Sequence, residues 1–408
     1  MSSILGASVA VVILAAVHVA HAAEFEVHPS LAVSEEYTDN VFETTTNRVS
    51  DYITRLLPGI AMSYSAPALT GNLGYVFDYR YYARGTHKDE TTHSLSAKGK
   101  LTAVENLLFL EVSDEYQRVS LDATRDVTRE SLFVNQADRN VTTVSPYLTL
   151  RVTERIPVKF GYRFIDTRYF DSVGIDKTDH IAFMDASYEL SKRWSLTASY
   201  TFTRELADID NYSQHQALGG FRYEYADKSF LFAQAGNNWI SYDSGQRLNS
   251  PNWNAGFTHV FATVTGTVNT GVRYNEDPLS NIMKESFVSG TIEKRFARGS
   301  LSFSPTYSEY DSPDTDTLRT KKYGATARGQ YELTTDLKGN LAFIAEKYEK
   351  AMQGRYARRF QVDSSLGYLL ARQLTALLTY IYTGYYSPEI AADNWHVNRV
   401  MIEIKKTF

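Results

Sequence analysis

Cysteine is absent from this chain, so no disulfide, thiolate metal site or cysteine nucleophile is available to it. Proline is scarce, at 10 in 408 residues. An excess of one charge is missing too: the formal net charge is only -5, which gives no signal for nucleic acid or another polyanion. After Ala23 no stretch of about 18 apolar residues occurs, so no transmembrane helix is available. Gly-x-Ser-x-Gly, His-Glu-x-x-His and a phosphate-binding glycine loop are all missing, which argues against an enzyme. Length alone fits two or three soluble domains or one large barrel.

Aromatic residues are abundant, with 29 Tyr and 21 Phe. Such residues favour strands and the two interfaces of a membrane. At the N-terminus an apolar run from Ile4 to Val19 precedes Ala20-His21-Ala22, the small-x-small pattern of a signal-peptidase site. The n-region Met1-Ser2-Ser3 departs from the pattern, because only the α-amino group supplies positive charge. Residues 1–22 therefore read as a signal peptide and 23–408 as a single domain.

Beyond it, one pattern repeats to the end: segments of about 10–15 residues that alternate apolar with polar, the period of a strand with two unlike faces. Trp194, Leu196, Ala198, Tyr200 and Phe202 alternate with Ser195, Thr197, Ser199, Thr201 and Thr203. Leu301, Phe303, Pro305 and Tyr307 alternate with serines and threonines from Ser300 to Ser308. Connections are short near Ala66, Val104, Thr153, Ser191, Ala226, Ala297, Leu333 and Ala371. Between them lie longer polar stretches, among them Thr38 to Val49, Val119 to Arg139, Asn275 to Lys284 and Tyr310 to Arg319. Short turns at one end and long loops at the other describe a bacterial outer-membrane barrel. The expected fold is all-β: a closed antiparallel transmembrane β-barrel of about 18–20 strands, with 16 still open, and both termini at the short-turn end. Its place is the outer membrane of a Gram-negative cell, in contact with lipid. The final strand places Val400, Ile402, Ile404, Lys406 and Phe408 on one face. A terminal aromatic resembles the signal read by the outer-membrane assembly machinery, although Lys406 stands where an apolar residue is usual.

If the apolar set meets lipid, the other set lines the lumen. Its basic candidates are Arg80, Lys98, Lys100, Arg151, Lys159, Arg163, Arg222, Arg273, Arg295 and Arg328. Its acidic candidates are Asp78, Glu111, Glu115, Asp179, Asp185, Glu189, Glu224, Glu293, Glu332 and Glu346. A strongly ion-selective pore would carry a ring of one sign, and this set is balanced. Such a wall suits a neutral or weakly charged polar solute, or it simply braces a large barrel. Clustered tyrosines, Tyr79 and Tyr81 or Tyr380 and Tyr382, read mostly as girdle residues, whereas Tyr82 and Tyr147 face inward and could stack on sugar rings. Seven histidines follow the signal segment, and none has metal-ligand spacing to another. His87 and His93 flank Asp89 and Glu90 in what reads as a solvated loop. No metal and no cofactor is called for.

The segment Leu31-Ala-Val-Ser-Glu-Glu-Tyr-Thr-Asp-Asn-Val-Phe42, followed by Val49-Ser-Asp-Tyr-Ile-Thr-Arg-Leu-Leu-Pro-Gly-Ile60, is distinctive. It resembles the opening of the β-barrel porin 2 family and of the outer-membrane proteins associated with PEP-CTERM/exosortase systems. The matching residues are Glu36, Tyr37, Asp39, Asn40, Asp51, Thr54, Pro58, Gly59 and Ile60. The resemblance implies a barrel linked to exopolysaccharide export, working with periplasmic export proteins. A general diffusion porin, or a sleeve or receptor for another protein, is the alternative. Physically, Asp39 and Asn40 read as strand-end turn chemistry, and Pro58, which lacks an N–H, should mark a bulge or irregular point of its strand.

Overall fold

The computed structural model describes residues 23–120, 136–170, 174–208, 210–276, 282–311, 320–350, 355–388 and 394–408. The signal-peptide reading of 1–22 lies outside them, as do the centre of the 119–139 loop and the acidic stretch 312–319.

Alternation becomes strand throughout. In chain order the strands are β1 (Glu24–Thr38), β2 (Asp51–Ser65), β3 (Leu69–Tyr82), β4 (Glu90–Val104), β5 (Leu108–Ser120), β6 (Gln136–Thr153) and β7 (Ile156–Tyr169). They continue as β8 (Lys177–Glu189), β9 (Trp194–Ala207), β10 (Tyr212–Ala226), β11 (Ser229–Tyr242), β12 (Arg247–Phe261), β13 (Val264–Glu276) and β14 (Ile282–Phe296). The last are β15 (Gly299–Asp311), β16 (Thr320–Glu332), β17 (Leu337–Lys350), β18 (Arg355–Ala371), β19 (Leu374–Tyr386) and β20 (Trp395–Thr407). Each pairs antiparallel with its sequence neighbours, and β1 closes the cylinder on β20 from Ser30↔Thr407 to Thr38↔Arg399. Among the described residues no helix is long and apolar enough to cross a membrane; the crossing is made by 20 strands. Closure pairs each strand on both sides, except where β12 and β13 part beyond Asn254↔Gly271, which is what a hydrocarbon environment demands of the crossing.

Nine short turns lie at one end, the periplasmic end by the rule for bacterial barrels. Eight stand where the sequence places them; the ninth, Ala262-Thr263 between β12 and β13, is additional. Phe261-Ala-Thr-Val264 contains no Gly, Pro, Asn or Asp, so no turn residue announces it.

Three interior prolines share one effect. At Pro58, Pro146 and Pro305 the ladder to one neighbour loses two pairs, then resumes in the same register. For Pro58 the gap lies between Leu56↔Tyr79 and Gly59↔Val76. The missing N–H interrupts the ladder without producing a bulge.

Candidate functional site: the lumen wall

The two faces are separated by exposure. On β9, Trp194, Leu196 and Tyr200 are exposed, while Glu205 on the opposite face is buried. Large exposed apolar side chains recur around the outside, including Phe257, Val288, Ile292, Phe303, Leu366 and Ile402. These meet lipid.

Cross-strand register carries the inner face around the barrel. It holds Asp78 and Arg80 on β3, Lys98 and Lys100 on β4, and Glu111 and Glu115 on β5. Arg151 follows on β6, Lys159 and Arg163 on β7, and Asp179, Asp185 and Glu189 on β8. Arg222 and Glu224 lie on β10, Arg273 on β13, and Glu293 and Arg295 on β14. Arg328 and Glu332 lie on β16 and Glu346 on β17. Some of these are drawn together and others are not. Lys100 Nζ lies 3.7 Å from Glu111, whose other partner is the Tyr147 hydroxyl at 2.8 Å. Arg295 meets Glu293 at 2.7 Å and Arg273 meets Glu285 at 2.6 Å. Lys159 and Arg163 instead cover aromatic faces, Lys159 over Tyr147 at 4.0 Å and Arg163 over Phe183 at 5.2 Å. Arg222 sits 3.4 Å above the Phe230 ring.

Neither inward tyrosine singled out in the sequence offers a free ring. Tyr147 is stacked on Phe109 and capped by Lys159, and Tyr82 is buried against His87.

The largest construction on the wall went unseen in sequence. Near the long-loop end, Arg399 Nε donates to Glu36 Oε1 at 2.6 Å, and Arg55 lies 3.9 Å from the other oxygen of Glu36. Arg55 also grips Asp78 with two bonds of 2.6 and 3.1 Å. Arg80 bridges Asp78 at 2.9 Å to Glu90 at 3.6 Å. Glu90 accepts from Arg118 at 2.6 Å, and Arg118 ends on Asp138 at 2.8 Å. Charge thus alternates strictly along a chain of four guanidiniums and four carboxylates. A second knot joins Lys322 and Arg359 to Glu346, at 3.0 and 2.5 Å, with Tyr348 donating to the same carboxylate at 2.8 Å. Glu36 is therefore a lumen residue, although in sequence it was only part of a motif.

Other motif residues tie the rim together. Asp39 accepts from the Asn398 backbone at 2.8 Å and its amide at 2.7 Å, across the closing seam. Asn40 donates to Thr44 O at 2.9 Å and His396 O at 3.0 Å. Tyr37 stacks obliquely on Tyr52. Asp51, at the loop end of β2, is fully buried, which alone would raise its pKa; bonds from Thr86 and the amides of Arg84, Tyr52 and Thr86 hold it below the usual 3.8 instead. Gly59 faces Ser30, whose hydroxyl would lie 2.9 Å from a Cβ there. Phe408 is exposed on the outer wall, its amide donating to Pro29 O at 2.8 Å.

Four of the histidines stand on the outer face, each beside a tyrosine. Tyr75–His93, Tyr162–His180, Tyr200–His215 and Tyr225–His259 are cross-strand pairs on the lipid-facing side, each hydroxyl 2.5–2.8 Å from Nδ1. Such a bond satisfies an imidazole nitrogen where water is scarce. Asp89 is engaged by the Tyr79 hydroxyl at 2.6 Å and Glu90 by arginines, so the His87–His93 stretch does not converge.

At one seam the wall parts. β12 and β13 pair only from Phe261↔Val264 to Asn254↔Gly271, although β12 continues to Arg247 and β13 to Glu276. Above Gly271, β13 stays paired with β14 and the two lean over the lumen. Ile282 packs on the inward-facing Tyr212 and Ile240, with Leu248 and Tyr274 against them. Gly271 permits the departure, since a Cβ there would lie 2.6 Å from Trp253 O. Below the hairpin remains a cavity of about 360 Å3 lined by Gln214, Gln216, Asn252, Asn254, Arg273 and Tyr274 among others. Amides at Gln214-x-Gln216 and Asn252-x-Asn254 carry a period-two signal, but only the register shows that they converge.

No family model and no curated protein matches the chain. Among solved structures it is similar to the siderophore receptor PirA from Pseudomonas aeruginosa, at 10% identity and TM-score 0.54, covering 94% of this chain and 80% of that one. A variant of the ferric enterobactin receptor PfeA from the same organism gives 8% identity and TM-score 0.55 over 94% and 80%. The FrpB iron transporter of Neisseria meningitidis gives 8% and 0.51 over 93% and 81%. At these identities the likeness is one of fold. The chain is an outer-membrane β-barrel. For 20 strands about 4.8 Å apart and tilted about 40°, the barrel's backbone circumference is about 125 Å and its diameter about 40 Å.

Proposed function

We propose that the barrel is a pore for polar, weakly charged solutes, and specifically a conduit for exopolysaccharide or a similar polymer. The observation that carries this reading is the pairing of charges on the inner wall. Every carboxylate in the chain from Glu36 to Glu90 touches a guanidinium, so the wall is polar yet presents little net field. A neutral chain with many hydroxyls finds donors and acceptors there and meets no strong electrostatic barrier. Support for a polymer over a small solute comes from the resemblance of residues 31–60 to barrels linked to polysaccharide export. Periplasmic export proteins and the assembly machinery are the partners this reading implies, and the reading is non-catalytic.

Two measurements test it. In planar bilayers under a tenfold KCl gradient the purified barrel should conduct with a reversal potential near zero. In the native host, deletion of the gene should abolish or shorten a surface polysaccharide. A closed channel or strong ion selectivity defeats the pore reading, and unchanged polysaccharide defeats the conduit reading.

A further inference from the structure

We infer that the cavity beneath the β13–β14 hairpin is a subsite for a neutral saccharide segment, an inference that rests on the conduit reading and names what the wall recognises. Its volume of about 360 Å3 falls within the range of small-ligand sites, about 300–1,000 Å3. Four amides line it: Gln214 and Gln216 from β10, Asn252 and Asn254 from β12. An amide both donates and accepts, as a sugar hydroxyl does, whereas a carboxylate or ammonium group offers one role only. Tyr212 and Tyr274 add the aromatic surface against which the C–H face of a pyranose packs.

Charge selects among polar ligands. The one cation at the cavity, Arg273, is held by Glu285 through bonds of 2.6 and 3.0 Å, so no net positive charge is left to attract an anion. An unmet hydrogen bond points to a ligand as well. Asn254 Oδ1 is buried in the cavity's lining and bonds to no protein atom. Folded proteins leave few buried polar atoms unpaired, and this one lines the cavity. The site opens to the lumen side of the wall, where a passing polymer makes contact.

Calorimetry on the full-length barrel in detergent tests this, with maltohexaose, mannohexaose and laminarihexaose as neutral probes and hexagalacturonate as the anionic one. At least one neutral hexasaccharide should bind ten or more times tighter than hexagalacturonate. Asn252→Leu with Asn254→Leu should weaken that binding at least tenfold, and Tyr274→Phe, which removes only a hydroxyl, about three- to fivefold. Heat-modifiable gel mobility and circular dichroism show whether each variant is folded; Tyr274→Phe keeps the test decisive should the double variant fail to fold. No neutral binding in a conducting barrel means ordered water alone fills the cavity and overturns the subsite while sparing the pore. Equal binding of hexagalacturonate, or folded variants that bind like the parent, also overturns it. Saccharide binding by a barrel that never conducts supports the subsite and defeats the conduit reading alone.

Discussion

Replacing Glu346 by Gln should make the barrel unfold more easily. Glu346 is the single acid between two cations, Arg359 at 2.5 Å and Lys322 at 3.0 Å, and it also accepts from Tyr348 at 2.8 Å. Exposure decides the magnitude: Arg359 is 1% and Lys322 7% accessible, so water cannot take over their solvation. Breaking a buried pair on one side costs about 3–5 kcal/mol, because an uncompensated charge remains. Glutamine keeps one acceptor oxygen, which returns about 1 kcal/mol of hydrogen bonding. The net expectation is a loss of about 2–4 kcal/mol, read from urea unfolding in phospholipid vesicles by tryptophan fluorescence. Adding Lys322→Met to the variant removes one stranded cation and should recover roughly half of the loss. Glu332→Gln serves as the contrast: its partner Lys338 is 63% exposed, and the unfolding midpoint should not move. A Glu346→Gln midpoint as unperturbed as that of Glu332→Gln would show that lumen water solvates the knot and that burial has been misjudged.

Other expectations follow from the same geometry. Gly271→Val puts side-chain atoms against Trp253 O, so the β13–β14 hairpin should lose its lean; single-channel conductance should rise, and an unchanged conductance would mean that the hairpin does not narrow the pore. Tyr225→Phe strips His259 Nδ1 of its 2.7 Å partner on the lipid side and should cost about 1–2 kcal/mol in the same unfolding assay. Asp51→Asn should loosen the turn around Arg84 and Thr86, seen as faster amide exchange at those residues. Since the Asp51 carboxyl titrates below the usual 3.8, its contribution is complete above that value and is lost as pH falls through its lowered folded-state pKa; above pH 5, parent and variant should differ by a constant amount.

The period-two pattern determined a great deal without any contact being known. A strand such as β9, with Trp194 and Leu196 on one face and Ser195 and Thr197 on the other, states which side meets lipid, because hydrocarbon and water sort side chains at every second position. Strand type, inner-face membership of residues such as Asp78, Lys100 and Glu293, and the common end of both termini all follow from that sorting and the turn spacing. Turn chemistry failed at Ala262-Thr263, where small side chains mark nothing, and so the register of β12 against β13 stayed hidden.

Which charges meet is a different kind of fact. Glu36 and Arg399 are 363 positions apart and touch because β1 closes on β20. Arg359 finds Glu346, and four amides of β10 and β12 surround one cavity, only once shear and register fix who stands opposite whom. Alternation along one strand carries no information about the offset of the next, since any even shift preserves the same two faces. For this protein the sequence alone determined an amphipathic wall and its polarity. The pairing of its charges, the inward lean of one hairpin and the cavity beneath it were decided by the closed tertiary structure, because closure imposes one register on all 20 strands at once.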